Sequence, residues 1–316
     1  IARVVGSVLK DEPLPLKLCY HANVFRAIEE GAGREAEFYQ TGVELVGDAA
    51  PDADAEIIAL AVASLEAAGV RQFKIALGHA GFLDGLFREV LADVPEAQTA
   101  LKACLSHRNY VGYRTTVRQL ALPETVKERL TEILRLCGGK DVCERARQLT
   151  GDAAARAAAD HLEEIWDVLD AYGVSEYVMM DLTMIGNFSY YTGMIFEGYS
   201  ADLGFPVVSG GRYDNLLTQF GRPAPATGFA LKTNRILGIV NGDQEGANGR
   251  FLVLYTANRR KEAFACAREL RTRGDCIVET KKVENGHHAA SVEAVSPRVY
   301  RFNQQLYEEV FEFVDE

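Results

Sequence analysis

The 316-residue sequence lacks several features that would assign a protein class directly. It contains no apolar run as long as a membrane span and no signal peptide, so neither a membrane protein nor a secreted one is expected. Its six cysteines form no CxxC pair and no zinc-like Cys/His spacing, which predicts free thiols, no metal site and a cytoplasmic location. Basic residues are outnumbered, with a net charge of −11, and this argues against a chain whose main role is to grip nucleic acid.

Residues 20–47 carry the most informative pattern that is present. Two arginines, Arg26 and Arg34, lie on either side of a turn rich in Gly and Glu, and an alternating strand follows. Gln40 and Glu44 are an even number of residues apart, so they point to the same face of that strand. An Arg that grips a carboxylate or phosphate, together with a Gln and a Glu, could recognise an amino acid at both ends. A solvated hairpin face is the alternative, and the pattern by itself favours it.

The rest of the chain predicts two domains of α+β class. A core of residues 1–242 is expected to hold an antiparallel sheet flanked by helices, with a helical insertion at about 97–173. A polar, Gly-rich linker leads to a small α/β domain at 250–316. Ile1 is not a natural first residue, so a preceding segment is expected to be missing.

The apolar periodicity predicts helices at several places, of which two are instructive. One is predicted from about Ala55 to Ala68, closed by Gly69, and another is predicted to run to Cys137 and end at Gly138-Gly139. The first has a core-facing stripe with helical spacing, made of Ile57, Leu60, Ala61, Ser64, Leu65 and Ala68.

Tandem tyrosines and a GGRYD segment follow the insertion. We expect the tandem tyrosines Tyr190 and Tyr191 to place one ring in the sheet core and the other towards the opposite face, where a hydroxyl could reach a ligand. Packing of both rings is the alternative. Arg212 and Asp214 are expected to pair with each other or to fix their loop.

These segments together resemble the histidyl-tRNA synthetases, a family of class II aminoacyl-tRNA synthetases. Motif 2 of that family is matched by Phe25-Arg26, by Ala32-Gly33-Arg34 and by the F-x-Q-x-G-V-E run from Phe38 to Glu44. The run SYYTGMIFE at 189–197 is similar to the second histidine-specific motif, and GFALKTNRI at 228–236 is similar to motif 3. The resemblance implies a class II synthetase-like fold with a helical insertion.

The resemblance also implies roles for individual residues. Arg26 would hold a carboxylate or phosphate, Gln40 and Glu44 would hold the amino group of a histidine-like ligand, and Tyr191, beside Tyr190, would contact its imidazole. Arg34 and Arg235 would be vestiges of phosphate and nucleotide contacts.

Several positions depart from the synthetase pattern, and all of them weaken the expected nucleotide chemistry. The family's activating Arg is replaced by Gly186, and loss of such a preorganised charge commonly costs about two to three powers of ten in rate. Ile28 replaces the Glu of motif 2, while Lys232 and Asn234 replace the Gly and the acidic residue of motif 3. An amino-acid pocket that has lost its ATP contacts is typical of a binding protein.

This half-kept site resembles that of the ATP phosphoribosyltransferase regulatory subunits, a family of synthetase paralogues in histidine biosynthesis. The resemblance implies a non-catalytic chain that activates a short-form catalytic subunit and confers feedback inhibition by histidine. It also implies a homodimer within a larger hetero-oligomer, with no cofactor and no tRNA.

Two alternatives stay open at this point. The first is an active histidyl-tRNA synthetase with divergent motifs. The second is a synthetase-like module that senses nucleic acid, against which the acidic charge counts.

Overall fold

The computed structural model describes most of the chain, namely residues 1–25, 36–186, 190–240, 249–273, 276–283 and 292–315. The chain folds into two compact units, Ile1–Val240 and Asn241–Glu316.

The first unit is built on one eight-stranded sheet with the strand order β1-β2-β8-β7-β6-β3-β5-β4. The strands are β1 Leu16–Phe25, β2 Glu37–Val46, β3 Phe73–His79, β4 Cys137–Gly138, β5 Val178–Asp181, β6 Met194–Ser200, β7 Pro206–Tyr213 and β8 Ala226–Lys232. Neighbouring strands are antiparallel except β3 and β5, which are parallel. The predicted sheet is therefore present, and it is mixed.

Helices flank this sheet and fill the segment between β3 and β5. They are α1 Ala2–Ser7, α2 Pro51–Ala67, α3 Ala80–Val90, α4 Pro95–Ser106, α5 Tyr110–Gln119, α6 Glu124–Glu132, α7 Asp141–Leu149, α8 Ala153–Ala171 and α9 Thr233–Ile239. Helix α8 packs against α2, α3 and β3. One core cluster joins Ile58 of α2, Leu77 of β3 and Leu162 of α8, all fully buried, so sheet and helices form one hydrophobic core.

Two details of the predicted helices are wrong. Helix α6 ends at Glu132 and does not reach Cys137, because Cys137 and Gly138 pair with β5 as the edge strand β4. In α2, which begins at Pro51, the side chain of Leu60 is 41% exposed although its spacing places it in the apolar stripe. The pairing of Cys137 and Gly138 with β5 is a tertiary contact, which local periodicity does not show.

The second unit is a small α/β arrangement. Its strands are β9 Gly249–Tyr255, β10 Cys276–Lys282, β11 Val292–Ser296, β12 Val299–Phe302, β13 Gln305–Tyr307 and β14 Glu309–Phe313, and its helix is α10 Arg260–Thr272. Strands β10, β9 and β14 form a parallel sheet, and β11, β12 and β13 form an antiparallel one. Alternate residues of β9 pack on opposite sides, Val253 with α10 and Leu254 with Phe302 and Tyr307.

None of the helices that the structure describes combines the length and the apolar character that a membrane crossing requires.

The packing of α2 gives a test with a built-in control. Leu65 is fully buried, whereas Leu60 on the same helix is 41% exposed. We expect Leu65→Ala to lower the free energy of unfolding of the first unit by about 2–5 kcal/mol, because it removes buried methyl groups and leaves a cavity. Leu60→Ala should change it by less than about 1 kcal/mol.

Urea unfolding followed by tryptophan fluorescence measures this, since the single tryptophan, Trp166, lies in α8 beside the same core. Equal losses for the two variants would show that the packing of α2 is described wrongly.

Candidate functional site

The centre of the site is a carboxyl group that lies across the sheet. Glu44 of β2 pairs with Gly228 of the neighbouring strand β8. A Cβ atom at position 228 would overlap the Glu44 carboxylate, so only glycine leaves room for this side chain. Beyond β8, Tyr213 at the end of β7 donates a 2.6 Å hydrogen bond to Oε2 of Glu44. One hydrogen bond thus connects β2 and β7 over the strand between them.

Burial controls the charge of this group. It raises the pKa of Glu44 to about 7, although the hydrogen bond from Tyr213 acts in the opposite direction. Burial, followed by the nearby Glu44 carboxylate, also raises the pKa of Tyr213 above its usual range. Near neutral pH the tyrosine is therefore a neutral donor, while Glu44 populates both its protonated and its ionised form.

Gln40 and Tyr20 form the part of the site next to Glu44. The Nε2 atom of Gln40 donates to the hydroxyl of Tyr20, which stands on the paired strand β1. The Tyr20 ring lies over Gly42, where a Cβ atom would overlap it. Burial raises the pKa of Tyr20, with a further contribution from Glu44. Tyr20 thus forms a neutral wall between the two polar residues of β2.

The tandem tyrosines Tyr190 and Tyr191 add two further aromatic rings to the site, but the rings are not arranged as predicted. Both precede β6, which begins at Met194, and so they do not alternate across a strand. Their rings lie 4.9 Å apart, and Tyr190 also meets the Tyr213 ring edge-on at 5.5 Å. Both pack against the same small apolar cluster. The expectation of rings on opposite faces was therefore wrong.

A cavity of about 430 Å³ opens between these groups. Its lining residues are Ile1, Ala2, Tyr20, Glu44, Tyr190, Tyr213 and Leu216. Tyr191 lines a second, much smaller cavity of about 10 Å³, together with Gly186, Glu197 and Ser209. Of the residues proposed from the sequence, Glu44 and Tyr190 line the larger cavity directly, and Gln40 is joined to it through Tyr20.

None of the three arginines proposed from the sequence is seen at the larger cavity in the part of the chain that the structure describes. Arg26 and Arg34 lie outside the described residues. Arg235 is in α9, where it donates a 2.6 Å hydrogen bond to the carbonyl oxygen of Pro206 and stacks on the Phe205 ring at 5.3 Å. It is not among the residues that line either cavity.

Sequence reasoning missed the tyrosines Tyr20 and Tyr213, and it also missed the lining residues Ile1, Ala2 and Leu216. For Tyr213 the signal was readable in the sequence, whereas for Tyr20 it depends on the pairing of β1 with β2. Tyr213 stands between Arg212 and Asp214, whose 3.4 Å ion pair confirms the predicted pairing, and strand alternation therefore directs it to the opposite face. Tyr20 faces Gly42 on the adjacent strand, and an aromatic residue opposite a glycine is typical of a ring lying flat on a sheet.

The resulting chemistry suits one kind of ligand. The cavity combines one titratable carboxyl group with three neutral phenols and the apolar Leu216. A carboxylate can neutralise a cationic nitrogen, and tyrosine rings provide both a stacking face and a hydroxyl. A small cationic or aromatic amine would match these groups.

The family model for "Histidyl-tRNA synthetase" matches residues 1–236 of this chain. Curated relatives give a narrower result. The chain is 46% identical to an ATP phosphoribosyltransferase regulatory subunit of Bacillus subtilis, over 88% of this chain and 71% of the relative. It is 40% identical to the protein of the same name from Geobacillus kaustophilus, over 97% of this chain and 76% of the relative.

Solved structures that resemble this chain carry the same family names. A crystal structure described as an ATP phosphoribosyltransferase regulatory subunit/histidyl-tRNA synthetase from Bacillus halodurans has a TM-score of 0.81 and 39% identity, covering all of this chain and 78% of that one. Histidyl-tRNA synthetase from Nostoc sp. PCC 7120 has a TM-score of 0.72 at 17% identity and supports the fold alone, covering 96% of this chain and 78% of that one.

The predicted class II synthetase-like fold is confirmed by these likenesses. With identities of 40–46% over most of its length, the chain belongs to the ATP phosphoribosyltransferase regulatory subunits, within the histidyl-tRNA synthetase family.

Proposed function

We propose that this chain is the non-catalytic regulatory subunit of an ATP phosphoribosyltransferase in histidine biosynthesis. It activates a short-form catalytic subunit, which condenses ATP with phosphoribosyl pyrophosphate, and it confers inhibition by histidine. The observation that carries this proposal is the tyrosine-walled cavity around Glu44, present in a chain whose position 186 is a glycine.

Histidine is the proposed effector because its groups match the cavity. Glu44 would lose its proton and neutralise the cationic nitrogen that enters beside it, since an adjacent opposite charge favours the ionised carboxylate. Gln40 would assist through Tyr20, and Tyr190 with Tyr191 would contact the imidazole. Arg26 is proposed to hold the carboxylate of the effector, while Arg34 and Arg235 are proposed to be remnants of nucleotide contacts.

Regulation requires that histidine bind two assembly states of the complex with different affinities. We propose a cytoplasmic homodimer of this chain within a larger hetero-oligomer, with no tRNA bound. Residues 1–242, with the insertion at about 97–173, would form the effector-binding core, and residues 250–316 a separate domain. This division leaves the cavity entirely within the first unit.

Titration of Glu44 should be visible in stability. Its folded pKa of about 7 lies above the ordinary 4.5, so the protonated form stabilises the fold below pH 4.5, and this contribution is lost as pH rises through 7. Between pH 4.5 and 9 we expect wild type to lose about 3 kcal/mol relative to Glu44→Gln, which cannot titrate. Urea unfolding of both proteins at a series of pH values measures the difference. A difference independent of pH would mean that Glu44 is not buried as described.

Histidine binding should depend on the same residue. We expect Glu44→Ala to raise the dissociation constant for histidine by about tenfold or more, because losing a charged hydrogen bond usually has a cost of this size. Isothermal titration calorimetry of the whole chain measures it. The control is Glu128→Ala, which removes an exposed glutamate from α6 and should leave affinity unchanged. Equal affinity in wild type and Glu44→Ala would place the effector site elsewhere.

The regulatory role itself is tested with a purified short-form catalytic subunit. Adding this chain should raise the rate of ATP and phosphoribosyl pyrophosphate condensation, and histidine should then lower it. In Glu44→Ala the activation should persist while the histidine response weakens. If the chain neither raises the rate nor alters the response to histidine, the proposed function is wrong.

A further inference from the structure

A buried ion pair lies on the opposite face of the sheet from Glu44. Asp54, in the first turn of α2, is fully buried, and Nε of Arg212 donates to its Oδ2 atom at 2.8 Å. Arg212 also donates to the carbonyl oxygens of Asp48 at 3.0 Å and Ala50 at 3.4 Å. Because the guanidinium is held at several points, the end of β7 is fixed to the start of α2.

The same arginine reaches the segment that carries the tandem tyrosines. Its aliphatic carbons cover Gly193, where a Cβ atom would lie 2.8 Å from Cδ of Arg212. The backbone N–H of Thr192 donates to the Arg212 carbonyl oxygen at 2.9 Å. Asp214, paired with Arg212, accepts a 2.9 Å hydrogen bond from the Thr192 hydroxyl, which in turn accepts one from the Asp214 N–H at 3.0 Å. Thr192 immediately follows Tyr191, so these bonds hold the tyrosine pair.

Strand alternation connects this anchor to the cavity. Arg212 and Asp214 point to the α2 side, and Tyr213 between them points to Glu44. A shift at the end of β7 would therefore move Tyr213 and the segment of Tyr190 together.

We infer that Arg212 is a positioning residue, which sets Tyr213 and the Tyr190–Gly193 segment against Glu44 from the far face of the sheet. This inference rests on the proposed effector pocket. Arg212 does not line the cavity and acts through the residues that it holds.

The anchor also touches the helical segment. Nε2 of His161, on α8, lies 3.3 Å from Oδ2 of Asp54. Burial would raise the pKa of Asp54, but the hydrogen bonds from His161 and Arg212 outweigh it and lower that pKa. Asp54 is therefore an anion that is bound by Arg212 of β7 and by His161 of α8. A displacement of α8 would shift Asp54, and with it the Arg212 side chain that positions the pocket.

The test needs variants that remove the anchor without leaving a buried charge unpaired, which alone would destabilise the fold. The first is the double variant Asp54→Asn with Arg212→Met. The second, Thr192→Val, removes only the two hydrogen bonds between the Thr192 hydroxyl and Asp214, and it keeps the ion pair of Arg212 with Asp54. The control is Arg129→Met, which removes an arginine that binds Glu89 and the carbonyl oxygen of Leu149 and is not among the residues that line the cavity.

Two readouts on the whole chain are compared. One is the histidine dissociation constant from calorimetry. The other is the pKa of Glu44 from the ¹³C carboxyl resonance of glutamate-labelled protein, assigned by its loss in Glu44→Gln. The second readout needs no ligand.

We expect the double variant to weaken histidine binding at least about tenfold and Thr192→Val to weaken it about threefold. In both variants, the pKa of Glu44 should fall from about 7 towards 4.5. The reason is that loosening Tyr213 and the Tyr190–Gly193 segment would let more water reach the Glu44 carboxyl group. Arg129→Met should change neither quantity.

Unchanged values in the folded double variant would overturn the inference, and so would unchanged values in Thr192→Val if the double variant fails to fold. If wild type binds no histidine, the proposed effector is wrong, and the pKa of Glu44 alone then decides the role of Arg212.

Discussion

The hydrogen bond from Tyr213 to Glu44 is the contact on which the candidate site depends. It crosses a complete strand, which is possible because Gly228 on that strand has no side chain. This carboxyl group is half-buried at the edge of the cavity, and its burial raises its pKa to about 7. The position of one glycine therefore determines both the shape of the pocket and the charge of its central group.

The two faces of β7 have different roles: one lines the cavity, and the other is bound to neighbouring elements of the fold. Tyr213 points into the cavity, while Arg212 and Asp214 bind the start of α2 and the segment after the tandem tyrosines. A rigid scaffold on one face lets a pocket on the other face keep its geometry when empty. An effector shifts an equilibrium between assembly states only by its differential affinity for those states.

Much of the fold was predictable because it depends on local patterns. Alternation predicted the strand that follows the Gly- and Glu-rich turn, observed as β2, and the even spacing of Gln40 and Glu44 placed both on one face of it. The places where prediction failed were decided by distant partners. Leu60 has helical core spacing but stays 41% exposed, and Cys137 leaves its helix to pair with β5. The tandem tyrosines were placed wrongly because an aromatic pair beside a strand is indistinguishable by composition from one inside it. Tyr20 was missed because its importance comes from Gly42 on the facing strand.

We propose a synthetase-like pocket that binds histidine without activating it. Activation is measured by histidine-dependent ATP–pyrophosphate exchange with the purified whole protein. We expect no exchange above background, because Gly186 cannot supply the charge that stabilises adenylate formation. Sustained exchange at a synthetase-like turnover would contradict it and make the chain an active enzyme.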